Sequence, residues 1–251
     1  MKYAIIGFGN LGRSLASGLM KSESAKPGDI YVCDNFEQAL QTAQNDFFQA
    51  NASDDVNYVI ENADIVFLTV KANVFQELSK NIDKSKLPGK TIVSFMAGVT
   101  FEDIYSLIGN VELVRAMPSL AIAECEGVIG YTKCPARLKE VFSKLGYAFE
   151  TKPEDIEKVM AFASCGLGFA AYLIDAFATA GEKMGFSAEE AINIATLTFK
   201  NATSRGNYRD TIKAVATPGG ATEQGIMHMD LSDIYETIAN AVQKAYDKMT
   251  N

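Results

Sequence analysis
The most informative chemistry near the start of the chain is Gly7-Phe-Gly-Asn-Leu-Gly12. An apolar run, Lys2–Ile6, precedes it and a helical pattern extends from it to about Met20. This is G-x-G-x-x-G with a strand before and a helix after, the context in which the spacing has a mechanism. Gly7 allows the tight turn, Gly9 lets a pyrophosphate approach the backbone, and Gly12 lets helix and strand come close. Asn10 and Leu11 then fall at the helix start, where the N-terminal dipole end favours phosphate. Asp34 closes the next apolar run, Ile30–Cys33, about 20 residues beyond Gly12. A carboxylate there accepts hydrogen bonds from a ribose and repels a 2′-phosphate, which predicts NAD(P)H with NADH favoured. The same residue also fits the N-cap of a helix over 35–45.

A second constellation lies in Ala216-Thr-Pro-Gly-Gly-Ala-Thr222, a turn that opens a helix. Glycine permits close backbone approach, and the first N–H groups of a helix can hold a small anion. Thr217 and Thr222, with Arg115 and Ser164, are the polar groups suited to orienting a substrate, although each threonine also suits a helix cap. His228 is the single histidine and reads as structural. No HExxH, paired cysteines or carboxylate cluster points to a metal. A nicotinamide cofactor would carry the difficult chemistry and leave the protein to position the substrate.

The elements that must position these groups follow from the pattern. Apolar runs at 65–70, Thr91–Ser94, Glu112–Arg115, 127–132 and 147–150 read as strands, with helices between them. Lys71 stands at the C-terminal end of its strand, where doubly wound sheets bind ligands, and also suits an exposed helix start. Thr100 followed by Asp103 fits an N-cap. Beyond Pro153 the chain reads helical. The expected organisation is an α/β Rossmann-type doubly wound domain over 1–152 and an all-α dimerisation and substrate-binding domain over 153–251. The run Val159–Met184 is apolar on several faces and should be buried all round.

The chain has 251 residues and a formal net charge of −8, which argues against nucleic acid and anionic membranes as partners. Cys33, Cys125, Cys134 and Cys165 show no CxxC spacing and read as free thiols of a reducing, cytoplasmic compartment. The stretch from Met160 to Ala180 is long enough to raise a membrane span. Asp175, Gly166, Gly168 and Gly181 favour a buried interface helix instead.

The sequence resembles pyrroline-5-carboxylate reductase over nearly its whole length. The shared segments are Gly7–Gly12, Ala63–Lys71, Ser94–Thr100, Arg115-Ala-Met-Pro118, Glu126-Gly127, Asp175–Gly185 and Val215-Ala-Thr-Pro-Gly-Gly-Ala-Thr222. The last resembles the family signature V-[TS]-S-P-G-G-[TA]-T. The resemblance implies reduction of the C=N bond of 1-pyrroline-5-carboxylate to L-proline in proline biosynthesis. It also implies a homodimer that can assemble further. Carried over residue by residue, it places Val70, Lys71, Ala97 and Gly98 at the cofactor. Met117, Pro118, Gly219, Gly220, Ala221 and Thr222 fall at the substrate, with Ser164, Thr217 and Thr222 as catalytic polar groups. The chain departs from the family at Ala72, at Ser119-Leu-Ala121, within Ser164–Tyr172, and at Glu223, where an apolar residue is usual. These departures leave open a different cyclic imine or imino acid, or a dinucleotide-binding member without turnover.

Overall fold
A computed structural model describes residues 1–47 and 50–250. In chain order the elements begin β1 (Tyr3–Ile6), α1 (Asn10–Lys21), β2 (Ile30–Cys33), α2 (Glu37–Asp46), β3 (Asn51–Ser53) and α3 (Val56–Glu61). They continue with β4 (Ile65–Leu68), α4 (Ala72–Leu78), β5 (Thr91–Ser94), α5 (Phe101–Ile108), β6 (Glu112–Pro118), β7 (Gly127–Tyr131), α6 (Ala136–Lys144) and β8 (Gly146–Glu150). Thereafter, among the described residues, only helices follow: α7 (Ile156–Val159), a π-helical turn at Met160–Ser164, α8 (Cys165–Lys183), α9 (Ala188–Ser204), α10 (Tyr208–Val215), α11 (Ala221–Leu231) and α12 (Ile234–Thr250).

Each residue of β1, β2, β4 and β5 is buried. Successive side chains of a strand point to opposite faces. Tyr3 and Ile5 therefore join one apolar layer with Leu15 and Leu19 of α1. Ala4 and Ile6 join the other with Val59, Ile60, Phe75 and Ile104. Burial on both faces is why these strands read as unbroken apolar runs.

Among the described residues the strands form one sheet in the order β3-β2-β1-β4-β5-β6-β7-β8. All pairings are parallel except β6 with β7, where Ala116 faces Tyr131. β1 lies between β2 and β4, with Ile6 beside both Cys33 and Leu68. The strand order reverses there, and open α/β sheets bind ligands at the carboxyl ends of strands at such a point.

The structure differs from the sequence reading in a few places. β3 and α3 were not expected. Asn-Ala-Ser carries no apolar run, because β3 is a three-residue edge paired only with β2. Asp55 starts α3 by accepting the Asn57 N–H at 2.8 Å. β6 continues past Arg115 to Pro118, since its second half pairs with β7. α2 starts at Glu37 with Phe36 as N-cap, so Asp34 is not the cap residue.

The chain divides into two units. One comprises Met1–Ser164 with the last turn of α12 from Tyr246, and the other Cys165–Ala245. The second has a small core of its own: Ala178 of α8 meets Ala191 and Ala195 of α9, with Ile174 alongside. Phe177 and Phe199 meet edge to face at 5.9 Å. The expectation that the α8 run is buried all round fails within one chain, because Ala178 is the one residue of α8 that is buried. Tyr172 is 74 % exposed, Met184 81 % and Leu231 of α11 83 %. By length and composition the stretch Pro153–Lys183 could cross a membrane, with a mean hydropathy of 1.6.

Candidate active site
At the carboxyl end of β1 the chain turns through Gly7 at φ +98°, a conformation that L side chains rarely adopt. A Cβ on Gly7 would also lie 2.6 Å from Val70 Cγ1. A Cβ on Gly12 would collide with the Gly7 carbonyl oxygen, so the third glycine is required by the approach of α1 to the turn. Gly9 is different: it is exposed, and a Cβ there would meet no atom of the described residues within 4 Å. Asn10 begins α1 and is exposed, with Leu11 half-buried beside it.

Two side chains hold this turn in place. Thr69 donates its hydroxyl to the Gly7 carbonyl at 2.6 Å, also lying 3.0 Å from the Ile6 carbonyl. The sequence reading missed Thr69; its signal was a lone hydroxyl closing an apolar strand. Asp34 accepts the Phe8 N–H on Oδ2 at 2.7 Å and the Phe36 N–H on Oδ1 at 3.0 Å. A carboxylate oxygen has two acceptor positions, so both oxygens retain capacity toward solvent. Asp34 lines an open pocket of about 350 Å³ with Asn10, Arg13 and the exposed ring of Phe36. Arg13, also missed, pairs with Asp46 at 3.1 Å. Behind Asp34, burial and then the aspartate's charge push the Cys33 thiol up to about 12.

Val70 is half-buried against Gly7, while Lys71 is exposed as the N-cap of α4. After β5, Ala97 is half-buried and Gly98 exposed at φ +65°. A Cβ on Gly98 would lie 2.6 Å from the Met249 carbonyl oxygen in the last turn of α12. The backbone contact therefore accounts for glycine at 98.

Arg115 is a structural tie and not a free ligand-orienting group. Its guanidinium donates to Glu157 Oε1 at 2.6 Å and to the Met96 carbonyl at 3.2 Å. The two side chains are 4 % and 13 % exposed. Met117 is buried with Ile156 and Val159, so its side chain serves the core. Pro118 offers its carbonyl to the Ser164 hydroxyl at 2.9 Å. Ser164 lies in the π-helical turn, a distortion common at functional sites. Ser119 accepts the Val128 N–H at 3.1 Å and thereby ties β6 to β7.

In the second unit, Thr217, Gly219, Gly220, Ala221 and Thr222 form one turn at the start of α11. Gly219 is at φ +75° and Gly220 is the N-cap. The Gly220 N–H donates to the Thr217 carbonyl at 2.8 Å. A Cβ on Gly220 would lie 2.6 Å from Thr217 Oγ1, so this turn requires glycine at 220. Thr217, Gly219, Ala221 and Thr222 are exposed. Glu223, in the first turn of α11, folds back so that Oε2 accepts the Gly219 N–H at 2.7 Å.

The sheet order, the glycine turn and the acid after β2 define a dinucleotide-binding fold of Rossmann type, followed by a helical region. Residues 2–98 match the family described as NADP oxidoreductase, coenzyme F420-dependent, and residues 153–251 match pyrroline-5-carboxylate reductase dimerisation. The chain is similar to pyrroline-5-carboxylate reductase of Aquifex aeolicus, with 28 % identity covering 99 % of this chain and 96 % of that one. A solved pyrroline carboxylate reductase of Plasmodium falciparum with NADP bound has a TM-score of 0.90 at 21 % identity, covering 100 % of this chain and 97 % of that one. A 1-pyrroline-5-carboxylate reductase of Streptococcus pyogenes has a TM-score of 0.88 at 22 % identity, covering 100 % and 98 %. The structural likenesses establish the fold. Residues 153–251 thus carry a pyrroline-5-carboxylate reductase dimerisation domain, and the chain is similar to pyrroline-5-carboxylate reductases over nearly its whole length.

Proposed function
We propose that the chain uses NAD(P)H to reduce the C=N bond of 1-pyrroline-5-carboxylate, giving L-proline, and that it works as a cytoplasmic homodimer. The observation that carries this reading is a glycine turn in each unit: one suited to a pyrophosphate, one to a carboxylate. In this reading residues 1–152 hold the cofactor, and 153–251 serve dimerisation and substrate binding.

Gly7 and Gly12 are glycine for reasons internal to the fold, whereas among the described residues no atom demands glycine at position 9. Close approach of a pyrophosphate supplies that demand. The cofactor would lie over Gly9, Asn10 and Leu11, with Val70, Lys71, Ala97 and Gly98 along the strand ends. When bound, it supplies the hydride. Asp34 would accept from the ribose hydroxyls, and its charge would oppose a 2′-phosphate. Arg13 lines the same pocket, but Asp46 already engages it. We therefore favour NADH over NADPH.

The ring imine is reactive once protonated, so orientation is the main task of the protein. The Gly219–Thr222 backbone and the Thr222 hydroxyl would hold the substrate carboxylate, with Thr217 closing the turn. Ser164 has its hydroxyl committed to Pro118 and would position that end of β6. The four cysteines are free, consistent with a reducing compartment. A second copy would cover the exposed apolar faces of the helical unit, which favours a protein interface over a membrane or nucleic acid as the covering partner.

NADH and NADPH oxidation in the presence of 1-pyrroline-5-carboxylate tests the proposal. Proline formation is expected, with a higher kcat/KM for NADH. Absence of turnover with both cofactors overturns it. Asp34→Ser should shift the preference toward NADPH.

A further inference from the structure
The Gly219 N–H, proposed above for the substrate carboxylate, already holds a carboxylate of the chain itself. Glu223 Oε2 accepts it at 2.7 Å. Gly219 reaches this geometry at φ +75°, and the neighbouring Gly220 N–H is used by the Thr217 carbonyl. Glu223 is half-buried, while Thr222 beside it is exposed. A substrate carboxylate seeking the Gly219 donor meets both an occupied hydrogen bond and a like charge. An unsubstituted cyclic imine makes no such demand.

We propose that Glu223 is an internal competitor for the substrate carboxylate and sets the charge class of imine that the site accepts. It penalises imines bearing a carboxylate relative to the same ring without one. The proposal rests on the reading of the Thr217–Thr222 turn as the substrate site. Glu223 also resembles a helix cap, since an acidic side chain in the first turn of a helix can reach back to backbone N–H groups. Glu223→Gln separates the two roles: its amide oxygen can keep the bond to Gly219, but the charge is gone.

Two measurements on the cofactor-loaded full chain decide the matter. The first compares kcat/KM for 1-pyrroline-5-carboxylate and for 1-pyrroline in the wild type, Glu223→Gln and Glu223→Ala. The ratio in favour of the carboxylate-bearing imine should rise about ten-fold in Glu223→Gln, within the scale of removing one like charge a few ångströms from the substrate carboxylate. The second is calorimetric binding of cyclopentanecarboxylate, which has the ring and the carboxylate but no imine. Its affinity should also rise about ten-fold in Glu223→Gln. Glu223→Ala should move both readouts in the same direction; if it fails to fold, Glu223→Gln alone decides. An unchanged or reduced carboxylate affinity in Glu223→Gln overturns the proposal, as does failure of the carboxylate to bind any of the three proteins. Tighter carboxylate binding without reduction of either imine would support the role of Glu223 and overturn the proposed enzyme function.

Discussion
The two glycine turns sit in very different surroundings. The turn after β1 is enclosed by a sheet whose central strands are fully buried, and it is fixed by Thr69 and Asp34. The turn before α11 stands on helices that bury little within one chain; α10, α11 and α12 contain no buried residue among those described. The first region is a finished part. The second has the composition of a core without enough chain to cover it. A dinucleotide site can thus be built from one chain's sheet, whereas the helical region needs a second surface.

The sharpest way to break this contrast is to damage the finished part. Glu157→Ala leaves the Arg115 guanidinium buried without its carboxylate. Removing one member of a buried pair costs about 3–5 kcal/mol. Urea unfolding should show that loss at every protein concentration, and a change below about 1 kcal/mol would show that the pair does not hold the first unit together.

In the helical unit the matching change is Leu197→Glu on α9, a residue 57 % exposed in one chain. Covering a leucine is worth about 1.5–3 kcal/mol, so the variant should weaken dimerisation while leaving NADH binding to the first unit near wild type. An unchanged dimer would place Leu197 outside the interface.

The Thr222→Ala variant addresses the turn before α11. Loss of one hydrogen bond to a charged group, about 1.5–3 kcal/mol, should lower kcat/KM for 1-pyrroline-5-carboxylate by roughly ten- to a hundred-fold, with NADH affinity nearly unchanged. An unaltered kcat/KM would show that the carboxylate is held elsewhere.

The smallest effect is local and depends on pH. Thr100 and Asp103 cap α5 reciprocally, and the backbone and hydroxyl hydrogen bonds of Thr100 hold the Asp103 carboxyl below its ordinary range. A depressed folded-state pKa contributes stability above the unfolded value, and that stability is lost as pH falls through the folded value. Thr100→Ala should cost about 1 kcal/mol at neutral pH, with the difference from wild type shrinking in acid. A difference that grows on acidification would contradict the assignment.

The sequence made the nucleotide half legible because its constraints are local. Gly7 and Gly12 answer to the turn and the adjacent helix, and the buried strands advertise themselves as apolar runs. Even there, Thr69 and Arg13 escaped notice, since the partners that give them a role are distant in sequence. Arg115 was misread for the same reason: nothing near it in the chain announces Glu157. In the helical half, the apolar composition of α8 was plain, but composition does not say which chain supplies the covering surface. Glu223 was visible as a charge in an unexpected place; its fold back to Gly219 is a matter of side-chain direction at the helix start.

By this comparison the first unit is complete in one chain and the helical unit is completed by a second copy. Light scattering at micromolar protein concentration tests it most directly. A mass of two chains, or an even multiple of two, is the predicted result. A one-chain mass under those conditions, with the helices fully formed, would contradict the account.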